Sequence, residues 1–178
     1  MKKIIKLILI FGCLGYIITY PYELWYSGTD EIKLISDSDS ITSLSKVINH
    51  KEFKNKVLYI KIWEPFDDDS DNLSALRYKY RNKEIEFLYL SRPDSDSSHD
   101  IDELRKWKMA LKRLKLKGNH ILMWPKFYKS LWEDNPKMNK NFLPHFLIVN
   151  KQGEIVNFNA PSPDKAALLS ELDQLLIN

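Results

Sequence analysis

FLPHFLIVNKQGEIVNFNAPSP, residues 142–163, is the most informative stretch of this chain. Pro144–Val149 is an apolar run rich in β-branched and aromatic side chains, as a buried strand requires. Asn150–Gly153 supplies turn chemistry, and Glu154–Phe158 resumes as a second strand, so the two form a hairpin. The Ala160-Pro161-Ser162-Pro163 segment breaks the chain, and a last helix is expected from Asp164 through Leu176.

Working outward, the same reasoning gives an ordered set of elements. EIKLI (31–35) is a short strand, and the polar SDSDS (36–40) can cap a helix over Ile41–Asn49. VLYIKIW (57–63) and EIEFLYLS (84–91) read as buried strands, with a helix over about 71–82 between them. Leu104, Trp107, Leu111 and Leu114 recur at helical spacing in a helix over 101–116, which Gly118 is expected to stop. HILMW (120–124) is a further strand, followed by a short helix near 126–133. Strands alternating with helices, then an antiparallel pair, predict an α/β protein with a central mixed sheet flanked by helices.

These segments resemble a known family. KNKVLYIKIWEPF (54–66), WKMALKRLKLKGNHIL (107–122) and the hairpin segment are similar to the thioredoxin-like proteins, in particular the exported TlpA/ResA-like group. The resemblance covers about residues 30–178 and implies a thioredoxin-like fold. In that group a Trp-x-x-Trp-Cys-x-x-Cys turn follows the first central strand. Here Trp63 keeps its position and Phe66 replaces the second aromatic residue. Asp67 and Ser70 stand at the two cysteine positions, with Leu73 and Ala75 where the family has a glutamate and a proline. Pro144 matches the family's cis proline, flanked by Leu143 and His145. The resemblance implies that Trp63 and Phe66 face Leu143, Pro144 and His145 across a groove able to hold an extended peptide. A purely structural role for the proline is the alternative.

Disulfide exchange needs a thiolate to attack sulfur. Neither an aspartate nor a serine can do this, and the only cysteine is Cys13. No other catalytic constellation, cofactor motif or metal-ligand spacing is evident; His145 has no companion at such a spacing. Binding is therefore the expected mode, with enzymatic action left open through a partner that brings cysteines.

The amino-terminal end has its own pattern. Lys2, Lys3 and Lys6 precede an uncharged run, Leu7–Tyr20, and Ile4–Tyr22 spans 19 residues. A bilayer takes roughly 20. Tyr16, Tyr20, Tyr22, Trp25 and Tyr26 gather toward the far end, as an interfacial aromatic belt does. We expect a membrane anchor or signal segment over 1–28 and a thioredoxin-like domain over 29–178. The anchor would have its amino terminus inside and the domain facing the periplasm or cell exterior. A lipoprotein attached through Cys13, in Ile10-Phe11-Gly12-Cys13, is an alternative. A cleaved signal is a third, although no small-residue cleavage site follows the run.

Removing the three leading lysines from 27 basic residues leaves 24, against 24 acidic ones. Residues 7–178 are thus neutral overall and not a nucleic-acid binder by charge. The expected function is that of a non-catalytic, protein- or peptide-binding accessory factor of a bacterial cell envelope. The alternative is a thiol-disulfide oxidoreductase-family protein in redox, cytochrome or envelope-protein maturation, working with a partner that supplies cysteines. One local asymmetry stands out: no acid occurs from residue 104 to 132 while Arg105, Lys106, Lys108, Lys112, Arg113, Lys115 and Lys117 do. Such a run is a solvated helix face or a site for anionic lipid head groups.

The aspartates after Trp63 are read as helix-capping groups. The calcium alternative, on Asp67, Asp69 and Asp71, fails its pattern at Asn72 and Tyr78. Alanine at the best-placed of Asp67–Asp69 should lower stability by about 1 kcal/mol, and calcium should leave the melting temperature unchanged. A calcium-dependent rise abolished by the same substitutions would reverse the assignment.

Overall fold

Seven consecutive residues, Val57–Trp63, are buried on both sides of strand β2, the middle of the structure. The computed structural model describes residues 26–35, 40–64, 73–92, 94, 100–138 and 143–177. The strands are β1 (Ile32–Leu34), β2 (Val57–Trp63), β3 (Ile85–Ser91), β4 (Gly118–Leu122), β5 (His145–Val149) and β6 (Ile155–Asn157). The helices are α1 (Leu44–Ile48), α2 (Leu73–Lys79), α3 (Ile101–Leu114), α4 (Pro125–Glu133) and α5 (Ala166–Ile177). The strands form one mixed sheet in the order β1-β4-β3-β2-β5-β6. β1, β4, β3 and β2 run parallel, and β5 is antiparallel to both β2 and β6.

Alternation along the central strands divides the core into two layers. Val57, Tyr59 and Trp63 join Phe87, Tyr89, Phe146 and Ile148 beneath α2, α3 and α5. Leu58, Ile60 and Ile62 join Leu88, Leu90, Leu147 and Val149 beneath α1 and α4. Apolar side chains on both faces are what a strand covered by helices on either side requires. Burial is the main driving term, at roughly 25 cal/mol per Å² of apolar surface.

Several local bonds set the ends of the elements. The Asn150 side-chain oxygen accepts from the Gln152 and Glu154 amides at 3.1 and 2.9 Å, and Gly153 takes φ +85°, closing the β5–β6 turn. Asp100 caps α3 by accepting from the Asp102 and Glu103 amides. The buried Glu103 carboxylate accepts from the Asp94 amide at 2.7 Å and pairs with Lys106 at 3.2 Å, tying the β3–α3 connection to the helix. The Tyr59 hydroxyl donates to the Pro161 carbonyl at 2.7 Å and so fixes the break before α5. Burial, with Asp164 and Glu171 adding to it, raises that phenol far above its ordinary range.

Two expectations change. The cap of α1 is Ser43, whose Oγ accepts from the Lys46 amide, so the helix begins at Leu44 rather than Ile41. Ile41 is buried ahead of the helix. Gly118 does not stop α3: Lys115 does, in the left-handed conformation at φ +50°, and Gly118 is the first residue of β4. Tyr26 packs on the first core layer, and Gly28 bridges Lys33. Among the described residues no helix is long and apolar enough to cross a membrane. The run 4–22 lies outside the described residues, as do SDSD (36–39) and Asp67–Asp69.

Gly118 has φ +137°, and a Cβ there would meet the Tyr89 ring at 3.0 Å and the Phe87 carbonyl oxygen at 3.3 Å. Gly118→Ala should therefore destabilise the protein by about 1–3 kcal/mol in urea unfolding, with the midpoint shifted and the slope unchanged.

Candidate functional site

The register of the sheet gathers one set of residues at one end. Trp63 pairs with Ser91, and Ser91 with Leu122, where the parallel strands finish. Ile62 pairs with His145, where the antiparallel β5 begins. The end of β2 and the Leu143–Pro144–His145 segment are thus neighbours. The Leu143–Pro144 peptide bond is cis. Phe66, Asp67 and Ser70, the other members of the sequence-derived site, lie outside the described residues.

The described members play different parts. Trp63 is buried, with its ring edge-on to Tyr89 at 6.3 Å, so it forms a floor rather than a contact surface. Its Nε1–H is buried without a hydrogen-bond partner among the described residues. Pro144 is exposed and Leu143 half-buried. Among the described residues, no backbone hydrogen bond joins Leu143 to another, and it lies just ahead of β5. Such a backbone edge can pair with an extended chain.

His145 is buried and structural. The Phe158 carbonyl accepts from its Nε2–H at 2.7 Å, which leaves Nδ1 as the unprotonated nitrogen of the neutral ring. The Trp132 ring packs edge-on against it at 5.9 Å. Burial pushes the imidazole below its usual value of 6.5, and the Phe158 bond opposes this only in part.

Sequence reasoning missed the aromatic wall beside this segment. Trp132 packs edge-on to Tyr128 at 5.8 Å, and the Arg92 guanidinium lies over the Tyr128 ring at 5.3 Å. Arg92 is ion-paired with Glu64, which follows Trp63 directly. The i, i+4 spacing of Tyr128 and Trp132 on α4 was the available signal. Ser91, buried under this end, accepts from Trp107 Nε1–H at 2.8 Å and so locks α3 to the sheet. The arrangement offers rings, a backbone edge and a neutralised ion pair. It offers no thiol among the described residues. None of these places three or more His, Cys, Asp or Glu where they could hold a metal.

Comparison with known proteins supports the architecture. A protein from Bacteroides vulgatus described as a thiol-disulfide oxidoreductase is similar at 26% identity over 70% of this chain and 82% of its own, with TM-score 0.56. A thiol-disulfide oxidoreductase from Bacteroides fragilis matches at 19% identity over 72% and 88%, with TM-score 0.55. The thioredoxin domain of another Bacteroides vulgatus thiol-disulfide oxidoreductase matches at 18% over 70% and 82%, with TM-score 0.54. No family model and no curated protein matches the sequence.

His145 yields a pH prediction. The unfolded chain takes up a proton near 6.5 and the folded one only at lower pH. In that window the unfolded state binds more protons, so stability should fall as pH drops below about 6.5. Urea unfolding between pH 7 and pH 5 should show this loss, and His145→Gln should make it shallower.

Proposed function

We propose that this thioredoxin-like fold serves a membrane-tethered, extracytoplasmic binding protein. It captures an extended polypeptide segment of the cell envelope at the Leu143–Pro144 edge and carries out no dithiol chemistry of its own. The observation that supports this reading is the pairing of an intact sheet end with a missing element. The Leu143–Pro144 segment stands beside the end of β2, while no cysteine occurs after Cys13 in the sequence. Electrons cannot pass without a thiolate, but a backbone edge and aromatic rings bind without one.

Each side chain has a role in that reading. Trp63 is the floor, and Leu143 offers N–H and C=O to the bound strand. Tyr128 and Trp132 supply flat apolar surface on one side. The family resemblance implies that Phe66, Asp67 and Ser70 face this edge, where the acid would favour basic or neutral segments over acidic ones. The tether is the run 4–22, with Cys13 lipidation as its alternative.

A second reading draws on the descriptions of the similar Bacteroides proteins. Here the chain is an oxidoreductase-family member that presents a surface to a partner holding the cysteine pair. Both readings put the contact at the same edge.

A photoreactive residue at Leu143 or Tyr128 in the intact envelope, with exposed Lys51 as control, tests the site. Protein adducts at the first two positions and none at Lys51 are expected. Adducts dominated by a protein with a reactive cysteine pair would favour the second reading. The purified chain alone should not reduce insulin disulfides, and adducts absent from Leu143 and Tyr128 would end both readings.

A further inference from the structure

The basic run of α3 lies beside the point where the amino-terminal segment joins the domain. Tyr26 packs on the same apolar layer that α3 covers through Trp107 and Leu111. Gly28 bridges Lys33 on the edge strand β1, and the Gly118 amide donates to the Glu31 carbonyl at 2.8 Å. Lys117 closes the corner with an ion pair to Glu31 at 2.7 Å. The start of the described chain and the end of α3 therefore lie close together.

Charge at that corner is one-sided. Lys33, Lys112, Arg113, Lys115 and Lys117 are exposed there, against Asp30 and Glu31. The acids of α3 sit in its first turn, at Asp102 and Glu103, where they pair with Arg105 and Lys106. The carboxyl-terminal half of the helix carries none.

Chain length then sets a limit. Tyr22, the end of the apolar run, is four residues from Tyr26, and four residues reach at most about 14 Å. A bilayer holding that run would lie within about 14 Å of this corner, less than two Debye lengths of about 8 Å at physiological salt. Tethering at such range removes most of the cost of bringing the surfaces together.

We infer that the end of α3, with Lys112, Arg113 and Lys115, docks on anionic lipid head groups next to the tether. The inference rests on the tethered reading proposed above. With Glu23 of the connecting segment counted, the five cations face three acids, and the excess of two corresponds to a preference of roughly thirty-fold for an anionic over a neutral surface. Docking holds the domain down on the membrane instead of letting it pivot on a short leash. It also gives the binding edge a set orientation relative to the bilayer.

The test uses the full chain reconstituted into vesicles of phosphatidylcholine alone or with one-third phosphatidylglycerol. A photoreactive residue replaces exposed Met109, one turn from Lys112 and Arg113. Flotation reports the tether, and lipid adducts by mass report docking. We expect flotation with both vesicles. Lipid adducts should form at least ten-fold more with phosphatidylglycerol, and both high salt and the Lys112→Glu/Arg113→Glu/Lys115→Glu variant should abolish them. The lipid and salt comparisons use the native charges, so they stand even if the triple variant misfolds. Flotation with equal or no adducts in the two lipids would overturn docking and leave the tether standing. Loss of flotation with both would overturn the tether, and docking with it.

Discussion

The antiparallel pairing of β5 with β2 is the constraint from which the rest of the molecule follows. β2 is hydrogen-bonded on both sides, to β3 in parallel and to β5 in the opposite sense. Its register sets Ile62 against His145 and Leu58 against Val149. A slip of one residue would send every β5 side chain to the other face. Phe146 would leave its stacked contact with Tyr59, now at 5.6 Å, and His145 would leave Trp132 for the layer containing Tyr89. The same register brings a proline with a cis bond to the end of the central strand. Fold stability and site geometry thus rest on one set of backbone bonds.

What the site can do is separable from what its fold is associated with. The similar Bacteroides proteins are described by a sulfur reaction, and this chain has its only sulfhydryl at Cys13. The described part of the sheet end consists instead of a buried tryptophan, an aromatic pair on α4, a neutral buried histidine and a carboxylate–guanidinium pair. Each is suited to shape and contact. The buried Nε1–H groups of Trp63 and Trp132 and the Leu143 backbone are polar features there without a described partner.

Most of the fold was legible because buried strands are written as continuous apolar runs, and Asn150 and Gly153 mark their turn plainly. Boundaries were less so. SDSDS looked like the cap of the first helix because it is rich in capping residues, yet Ser43 satisfies the Lys46 amide and needs only one hydroxyl. Gly118 looked like a helix stop because glycine commonly ends helices. Lys115 takes the left-handed turn, and the glycine is required for clearance against Tyr89. In the site, Pro144 was legible through its surroundings. Glu64 and Arg92 were not, since 28 residues separate them and only the parallel pairing of β2 and β3 brings them together. Tyr128 and Trp132 have a spacing that serves a core as readily as a surface. The exposure of Pro144 and the burial of Trp63 depend on packing no linear pattern encodes.

The two outer strands have a further consequence. β1 and β6 contain three residues each, β1 carries the exposed Lys33, and the β5–β6 pairing shifts register at Ile148/Val149. Long flat borders invite neighbouring copies to add strands and build fibrils. Short, charged and irregular borders discourage that. The described sheet borders therefore stay inert toward other copies of the chain.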